Sequence, residues 1–203
     1  MQCNGSNLCS CTSSVGAISR ISNLSPLPVV HAKKGGKDAK PEARAALPVP
    51  IKIVTVGKGN SSAAAAMAEE WLAKARRYTQ VHEIPIKPNP KKAASPAVQV
   101  QYEGDKVLKS VAPGDKVIAL DERGRAVKSE DVARLIARAG DDGCQALVFC
   151  IGGPYGHSDS VRMRADETIS LSNLVLNHQV AHIVLCEQIY RGWTILRGEP
   201  YHH

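Results

Sequence analysis

Short apolar runs that alternate with helical stretches are the feature that most constrains the fold of this chain of 203 residues. Four runs have the length, composition and flanking turn residues of buried strands: residues 51–57 (IKIVTVG), 81–86 (VHEIPI), 115–121 (DKVIALD) and 144–153 (CQALVFCIGG). A fifth run, residues 169–176 (ISLSNLVL), fits either a strand or a buried loop. Strands that alternate with helices predict an α/β fold, with a mostly parallel sheet and helices on both of its faces.

Helical periodicity fills the intervals between these strands. Apolar residues recur at spacings of three and four over residues 64–78, more weakly over 97–111, and again over about 179–196. A further helix is predicted to begin near Ser129, whose hydroxyl can cap it, and a short helix to cover residues 158–166. Parallel sheets bind ligands beyond the carboxyl ends of their strands. The loops to which this rule points are residues 120–124, residues 152–156 and the turn around Asn177 and His178.

Each of these loops allows a structural and a ligand-binding interpretation. In IGGPYG, Gly152 and Gly153 let the backbone approach a ligand, although the same residues suit a tight turn. Asp121 precedes a predicted turn at ERGR and is either a partner for ribose hydroxyls or an ordinary turn residue. SLSNLVLNH offers hydroxyl, amide and backbone groups in one apolar wall, or is an ordinary strand. The absence of G-x-G-x-x-G and of a P-loop lysine disfavours a dinucleotide or nucleoside triphosphate site.

Charge is unevenly distributed along the chain. The net charge is +7, of which residues 1–49 carry +4 and the following 154 residues only +3. An anionic partner is therefore indicated without a strongly basic folded domain. No apolar run approaches the length of a membrane span, so no membrane association is predicted.

The first 37 residues have a composition typical of a targeting sequence. They contain seven serines and no Asp or Glu, as organelle transit peptides do, and the single arginine, Arg20, favours a chloroplast over a mitochondrion. A merely disordered tail is the alternative. We expect residues 1–49 to form a transit peptide and flexible linker, and residues 50–203 to form one domain.

Neither the cysteines nor the histidines predict a metal site. Cys144, Cys150 and Cys186 are far apart in apolar surroundings, which indicates buried reduced thiols. His178 and His182 stand four residues apart but lack the glutamate of H-E-x-x-H.

In chain order, VTVGK, LDERG, IGGPYG, SLSNLVLNHQ and LCEQIYRGWTILRGEPYHH resemble the RlmH-type methyltransferases of the SPOUT superfamily. The resemblance covers residues 51–203. It implies an α/β domain with a C-terminal trefoil knot, and an obligate homodimer in which each active site is completed by the neighbouring subunit. It also implies methylation of N3 of a pseudouridine in large-subunit ribosomal RNA, with S-adenosylmethionine as methyl donor. One departure is His182, which stands where the family usually has arginine.

The resemblance further implies which residues form the site. Those matched to S-adenosylmethionine contacts are Leu120, Gly152, Gly153, Leu171, Ser172, Asn173, Leu174, Val175 and Leu176. Those on the substrate side are His202, Tyr201, Arg191 and Glu187. The acceptor N3–H must lose its proton during methyl transfer, and His202 could accept it. Tyr201 could stack on the base, and Arg191 could bind phosphate or stabilise the imide anion.

These roles have structural alternatives. Glu187 and Arg191 equally suit an intrahelical ion pair at i,i+4. Basic loop residues could meet RNA phosphates or be solvated surface charges: Lys87, Lys91, Lys92, Arg123, Arg125, Arg162 and Arg164. The leading hypothesis is a ribosomal RNA methyltransferase of an organelle ribosome. A catalytically silent RNA-binding relative in ribosome assembly is the alternative, and a nucleotide-dependent oxidoreductase is disfavoured by the missing fingerprint.

Overall fold

The computed structural model describes residues 46–89 and 95–201, and within them five strands alternate with five helices. The strands are β1 (Ile51–Val56), β2 (Val81–Ile86), β3 (Lys116–Ala126), β4 (Leu147–Ile151) and β5 (Glu167–Ser170). The helices are α1 (Ser62–Ala75), α2 (Pro96–Lys109), α3 (Ser129–Asp141), α4 (Asp159–Arg164) and α5 (His178–Arg197).

The strands form one sheet in the order β2-β1-β4-β3-β5, and every neighbouring pair is parallel. β4 is buried along its whole length, as expected for an apolar strand with neighbours on both edges and helices above and below. The predicted α/β fold with a parallel sheet is confirmed. In such a sheet all strands end at one edge, so the loops that follow β3, β4 and β5 lie close together.

Helices cover both faces of the sheet, as predicted. Successive side chains of a strand point to opposite faces. Ile53 therefore packs in the larger core with Phe149 and the helices α1, α3 and α5, whereas Val54 packs with Val148 against α2 and α4. Fully burying a side chain such as Phe149 contributes about 1.5–3 kcal/mol to the free energy of unfolding.

Helix α5 is held in the larger core by close helix contacts. A Cβ built on Gly192 would lie 2.9 Å from Cδ1 of Ile136 in α3, so a glycine at this position allows the two helices to approach closely. One residue further on, Trp193 is fully buried, and its ring stacks on Tyr78 with a centroid distance of 5.7 Å. Trp193 is therefore a core residue.

The predicted turn at ERGR is wrong, because β3 continues to Ala126. Leu120 and Arg125 both pair with Ile169 of β5, so the four residues between them bulge out of the ladder. A Cβ on Gly124 would lie 2.6 Å from the carbonyl carbon of Ile169, so only glycine fits this approach. The residues that suggest a turn locally therefore form a bulge, and the strand resumes its pairing with β5 at Arg125.

The predicted capping of α3 by Ser129 is also wrong. Ser129 is the first helical residue, and the carboxylate of Asp131 accepts the N–H of Lys128 at 2.8 Å instead. This hydrogen bond lowers the pKa of Asp131 below its ordinary value. Asp131 therefore satisfies a backbone donor that would otherwise be unpaired at the helix start.

Two further observations apply to residues 46–89 and 95–201. None of their helices is both long enough and apolar enough to cross a membrane. Cys144, Cys150 and Cys186 are free thiols, and burial raises the pKa of Cys150 to about 12. The last two of these cysteines are buried, and Cys144 is half-buried.

Candidate active site

The three predicted binding loops meet around one cavity of about 600 Å³ at the carboxyl ends of the strands. Its walls come from the end of β3, the glycine loop after β4, the segment after β5 and the first turn of α5. The lining residues that belong to the predicted cofactor set are Leu120, Gly152, Gly153, Leu171, Ser172, Leu174, Val175 and Leu176. Asn173, also in that set, is exposed and is not part of the lining.

The glycine loop is both a tight turn and a cavity wall, so its two interpretations do not exclude each other. The N–H of Gly156 donates to the carbonyl oxygen of Gly153 at 2.9 Å, which closes the turn over Pro154 and Tyr155. Gly156 has a φ of 77°, which favours glycine. A Cβ on Gly152 would lie 3.0 Å from the carbonyl carbon of Gly156, so the turn leaves little space for a side chain there.

Two side chains tie the glycine loop to the end of β3. Burial lowers the pKa of His157, so its ring is neutral, and its Nε2–H donates to the carbonyl oxygen of Leu120 at 3.1 Å. Arg162 of α4 donates from Nη2 to Oδ2 of Asp121 at 2.8 Å. These contacts fix the relative position of two cavity walls.

Asp121 is engaged by the protein itself. Its Oδ1 accepts the backbone N–H of Arg123 at 3.0 Å and the Nε–H of the same residue at 3.3 Å, while Arg162 occupies Oδ2. Burial alone would raise the pKa of Asp121, but these hydrogen bonds outweigh it, and the pKa lies below its ordinary value. The contacts support a structural role for Asp121 and leave little of its carboxylate for a ribose.

The segment after β5 offers backbone groups to a ligand. Among the N–H groups of residues 172–176, that of Leu174 alone donates to a partner in the described chain, the hydroxyl of Ser172 at 2.9 Å. The side chains of Leu174 and Val175 are 74% and 79% exposed. The wall thus combines apolar surface with backbone donors that lack a protein partner, as small-molecule sites do.

His178 also lines the cavity, in the turn to which the rule for parallel sheets pointed, although it was not among the predicted site residues. It is the first residue of α5, following the cap Asn177, whose Oδ1 accepts the N–H of Gln179 at 2.9 Å. Atoms Cδ2 and Nε2 of the ring lie 3.6 Å from the position of a Cβ on Gly57, so the ring packs against the end of β1. Its place at a helix start, directly after a predicted ligand loop, is the signal that could have identified it.

His182, the departure from the family pattern, is a structural residue outside the cavity. Its side chain is 2% exposed. The amide of Asn60 donates to Nδ1 at 2.9 Å, and Nε2–H donates to the carboxylate of Glu83 at 2.9 Å. The hydrogen bond from His182 lowers the pKa of Glu83. His182 thereby joins α5 to β2 and to the loop between β1 and α1.

Three of the predicted substrate-side residues form a cluster, with Glu187 and Arg191 in the second half of α5 and Tyr201 beyond its end. Arg191 donates to Oε1 of Glu187 from Nε at 2.9 Å and from Nη2 at 2.7 Å, which is the anticipated i,i+4 pair. The hydroxyl of Tyr201 donates to the same oxygen at 3.1 Å, and the guanidinium of Arg191 lies 4.7 Å from the centre of its ring. The fourth predicted residue, His202, lies outside the described residues.

Aromatic rings hold this cluster in place. The ring of Tyr201 lies 4.9 Å from that of Tyr190 and 6.2 Å from that of Trp71, measured between centroids. The hydroxyl of Tyr78 also donates to the carboxylate of Glu199, just before the final residues. Burial and the hydrogen bond to Glu187 raise the pKa of Tyr201, so its hydroxyl stays protonated. The end of the chain is anchored to its own domain up to Tyr201.

The family model described as "Predicted SPOUT methyltransferase" matches residues 49–202. The chain belongs to the SPOUT methyltransferase family. It is 40% identical to a putative RNA methyltransferase of Arabidopsis thaliana, over 89% of this chain and 92% of the relative. Proteins named ribosomal RNA large subunit methyltransferase H are 40% identical in Geobacter sp. (strain M21) and 42% identical in Geotalea uraniireducens. Each alignment covers 75% of this chain, and 98% and 99% of the respective relative.

In this SPOUT methyltransferase, the described residues of the C-terminal cluster do not line the cavity of the same chain. Ala181 is the last residue of α5 in the cavity wall, and Arg191 follows ten residues later. At a rise of about 1.5 Å per residue, the two are separated by about 15 Å along the helix. A single subunit therefore holds its cavity and its C-terminal cluster apart.

Several basic residues proposed for RNA contact have partners inside the protein. Arg164 donates to the carbonyl oxygens of Ala112 and Asp115 at 3.2 and 2.8 Å, and Arg125 pairs with Glu167 at 3.1 Å. Lys87 is exposed. Lys91 and Lys92 lie outside the described residues. Among the residues that the structure does describe, no three His, Cys, Asp or Glu side chains converge in a way that could hold a metal ion.

Proposed function

We propose that this protein transfers a methyl group from S-adenosylmethionine to large-subunit ribosomal RNA. The observation that carries the proposal is the single cavity formed by the three loops whose motifs resemble the family's cofactor-binding motifs. Two of the relatives reported above bear the name of a large-subunit ribosomal RNA methyltransferase, and the alignments span nearly their whole length.

The residues present fit this methyl donor. A cavity of about 600 Å³ falls within the range of about 300–1,000 Å³ that is usual for small-molecule sites. Leu120 and the leucines of the segment after β5 would provide apolar surface for the adenine. The N–H groups of residues 172, 173, 175 and 176, which have no partner among the described residues, would donate to its ring nitrogens or to the carboxylate. When bound, S-adenosylmethionine supplies a methyl group that is activated by a positively charged sulfur.

We further propose N3 of a pseudouridine as the acceptor, as the resemblance implies. The protein must then hold this nitrogen in line with the methyl carbon, exclude water and accept the N3 proton. The trefoil knot that the resemblance implies stays a prediction.

The separation of cavity and cluster supports a homodimer with a composite site, which we also propose. In that arrangement the Glu187–Arg191–Tyr201 cluster of one subunit faces the cavity of the other. Val180, in the first turn of α5 beside the cavity residues His178 and Ala181, is 46% exposed, and it offers apolar surface to a second copy.

Mixing two inactive variants tests the composite site. Gly152→Val places a side chain where the cavity wall has no space, and deletion of Tyr201–His203 removes the tail. If the cavity of one subunit uses the tail of its partner, random exchange of subunits restores about a quarter of the wild-type activity. If both parts act within one subunit, the mixture stays inactive.

We propose the chloroplast as the site of action, with the mitochondrion as the alternative. The serine-rich, acid-free composition of residues 1–37 supports import. Fusion of residues 1–49 to a fluorescent protein checks this by microscopy, and a cytosolic signal would contradict it.

Two measurements test the function itself. Calorimetric titration should show binding of S-adenosylmethionine, and nucleoside mass spectrometry of plastid ribosomal RNA from a knockout line should show the loss of 3-methylpseudouridine. A protein that binds ribosomal RNA but not S-adenosylmethionine would instead be the catalytically silent relative. Unchanged 3-methylpseudouridine in the knockout would refute the proposed substrate.

A further inference from the structure

The proposed reaction requires an acceptor for the N3 proton, and few groups in the cavity wall qualify. Apart from arginines, four titratable side chains line the cavity: Asp121, Glu122, Tyr155 and His178. Both oxygens of Asp121 are occupied by arginine donors. A free glutamic acid has a pKa near 4.3 and is a weak base for an imide, and a tyrosine is already protonated at neutral pH. Histidine is the side chain best suited to gain a proton near neutrality.

The position of His178 suits such a role. Its ring packs against Gly57, with Nε2 and Cδ2 at 3.6 Å from the position that a Cβ would take there, so the end of β1 supports one edge of the ring. Neither ring nitrogen has a hydrogen-bond partner among the described residues. By contrast, the two nitrogens of His182, one turn further along α5, are occupied by Asn60 and Glu83.

We propose that His178 is the general base of the methyl transfer, an inference that rests on the proposed function. The N3 nitrogen forms its new bond to the methyl carbon while the electron pair of the carbon–sulfur bond remains on sulfur. The N3 proton moves to a free nitrogen of the His178 imidazole, which becomes an imidazolium and later releases the proton to water. The charge lost at sulfur thus reappears on His178.

Charged groups near His178 are largely paired with one another, so they do not replace it as a base. Asp121 is paired with Arg162, and Glu83 with His182. The other charged and titratable side chains that line the cavity are Asp121, Glu122, Arg123, Tyr155 and Arg162. Lys58 in the loop after β1, Glu83 on β2, His157 after the glycine loop and His182 on α5 lie on the neighbouring elements.

Replacement of His178 by asparagine or glutamine keeps a polar side chain that cannot take up a proton. At neutral pH, the kcat for methyl transfer to ribosomal RNA is expected to fall about 100-fold or more, the usual contribution of general base catalysis. The loss should shrink as the pH rises, because the imide then ionises without assistance. In the wild-type protein, kcat should fall as the pH drops through the range in which imidazole is protonated, and this dependence should vanish in both variants. His82, exposed on β2, provides the matched control as His82→Asn.

A readout that does not depend on turnover separates this role from cofactor binding and from folding. Calorimetry should give the same affinity for S-adenosylmethionine in His178→Asn and in the wild type, and thermal unfolding should show an intact fold. In the wild-type protein without methyl donor, addition of an RNA fragment containing the target pseudouridine should shift the ring nitrogen NMR signals of His178.

The possible results lead to different conclusions. Wild-type kcat and pH dependence in His178→Asn would refute the role of His178 and leave the proposed function intact. Parallel loss of S-adenosylmethionine affinity would also refute it, because His178 would then act by holding the donor. Absence of methyl transfer by the wild-type protein would refute the proposed function, and the proposed base with it.

Discussion

The two ends of α5 differ in how far their polar groups are satisfied. At the N-terminal end, His178 lines the cavity with no hydrogen-bond partner for either ring nitrogen in the described chain, next to backbone N–H groups that also lack partners. At the C-terminal end, Glu187, Arg191 and Tyr201 bind one another and are packed among aromatic rings. The first region is therefore built to receive a ligand, whereas the second is preassembled and can position a substrate without rearranging.

The largest expected effect comes from filling the cavity. Gly152→Val should weaken S-adenosylmethionine binding by about 100-fold or more, because a branched side chain adds atoms where a Cβ alone already lies 3.0 Å from the backbone of Gly156. Calorimetry measures the affinity. Asn173→Val, which places a valine at an exposed position outside the lining, is the control and should leave the affinity unchanged. Equal losses in both variants would contradict the assignment of the cavity.

Removal of the tail tests the other end of the helix. Deletion of Tyr201–His203 should lower kcat about 100-fold through loss of substrate positioning, while the affinity for S-adenosylmethionine stays the same. Deletion of His203 alone serves as the control. The proposed division between a cofactor site and a substrate-positioning tail would be contradicted if the truncated protein had the wild-type kcat, or if it no longer bound S-adenosylmethionine.

Asp121→Asn tests how the walls of the cavity are held. The variant leaves arginine donors poorly paired, which should lower the free energy of unfolding by about 1–3 kcal/mol at neutral pH. The folded pKa of Asp121 lies below the ordinary value of about 3.9, so its contribution is present above that pH and is lost as the pH falls through the folded pKa. Urea unfolding at neutral and acidic pH checks this. Asp159→Asn is the control, since that side chain is 94% exposed and 3.9 Å from Arg162.

This account of Asp121 would be contradicted if the free energies of unfolding of Asp121→Asn and the wild type differed by the same amount at neutral and at acidic pH. Loss of stability in Asp159→Asn of the same size would also do so, because the effect would then reflect the charge of α4 as a whole.

The smallest effect concerns α3, which packs closely against α5 at Gly192. Asp131→Ala should lower the free energy of unfolding by about 1 kcal/mol, and Ser129→Ala should have little effect, because Asp131 supplies the hydrogen bond at the helix start. Thermal unfolding measures both. Neither variant should alter the affinity for S-adenosylmethionine. A larger loss of stability in Ser129→Ala than in Asp131→Ala would instead identify Ser129 as the capping residue.

Much of the fold was predictable because each strand carries its own local signal. β4 is an apolar run closed by Gly152, and β2 was predicted with the bounds that the structure shows. The extension of β3 was not predictable, because the strand resumes after its bulge only through the pairing of Arg125 with Ile169, which is more than forty residues away in the sequence. Ser129 and Asp131 are both good capping residues, and only the start of the helix decides between them.

The site was predictable as a set of loops but not as a set of contacts. The rule for parallel sheets indicated which loops meet, and these loops do line one cavity. Which residue of a loop faces inward depends on its path, which is why Asn173 lies outside the lining. The free ring of His178 depends on its packing against Gly57, over a hundred residues earlier, and no local pattern reveals that contact.

The order of the strands also has a consequence for how the protein reaches its native state. Ile51 of β1 pairs with Leu147 of β4, almost a hundred residues later, and every wall of the cavity lies beyond residue 119. Closing such long loops costs conformational entropy before strand pairing compensates for it, so folding is expected to be slow. The apolar edge of β1 is left open until β4 arrives. Until then the incompletely folded chain is prone to aggregation and is expected to bind chaperones. A methyl donor binds only the assembled cavity, so it can stabilise only the native state.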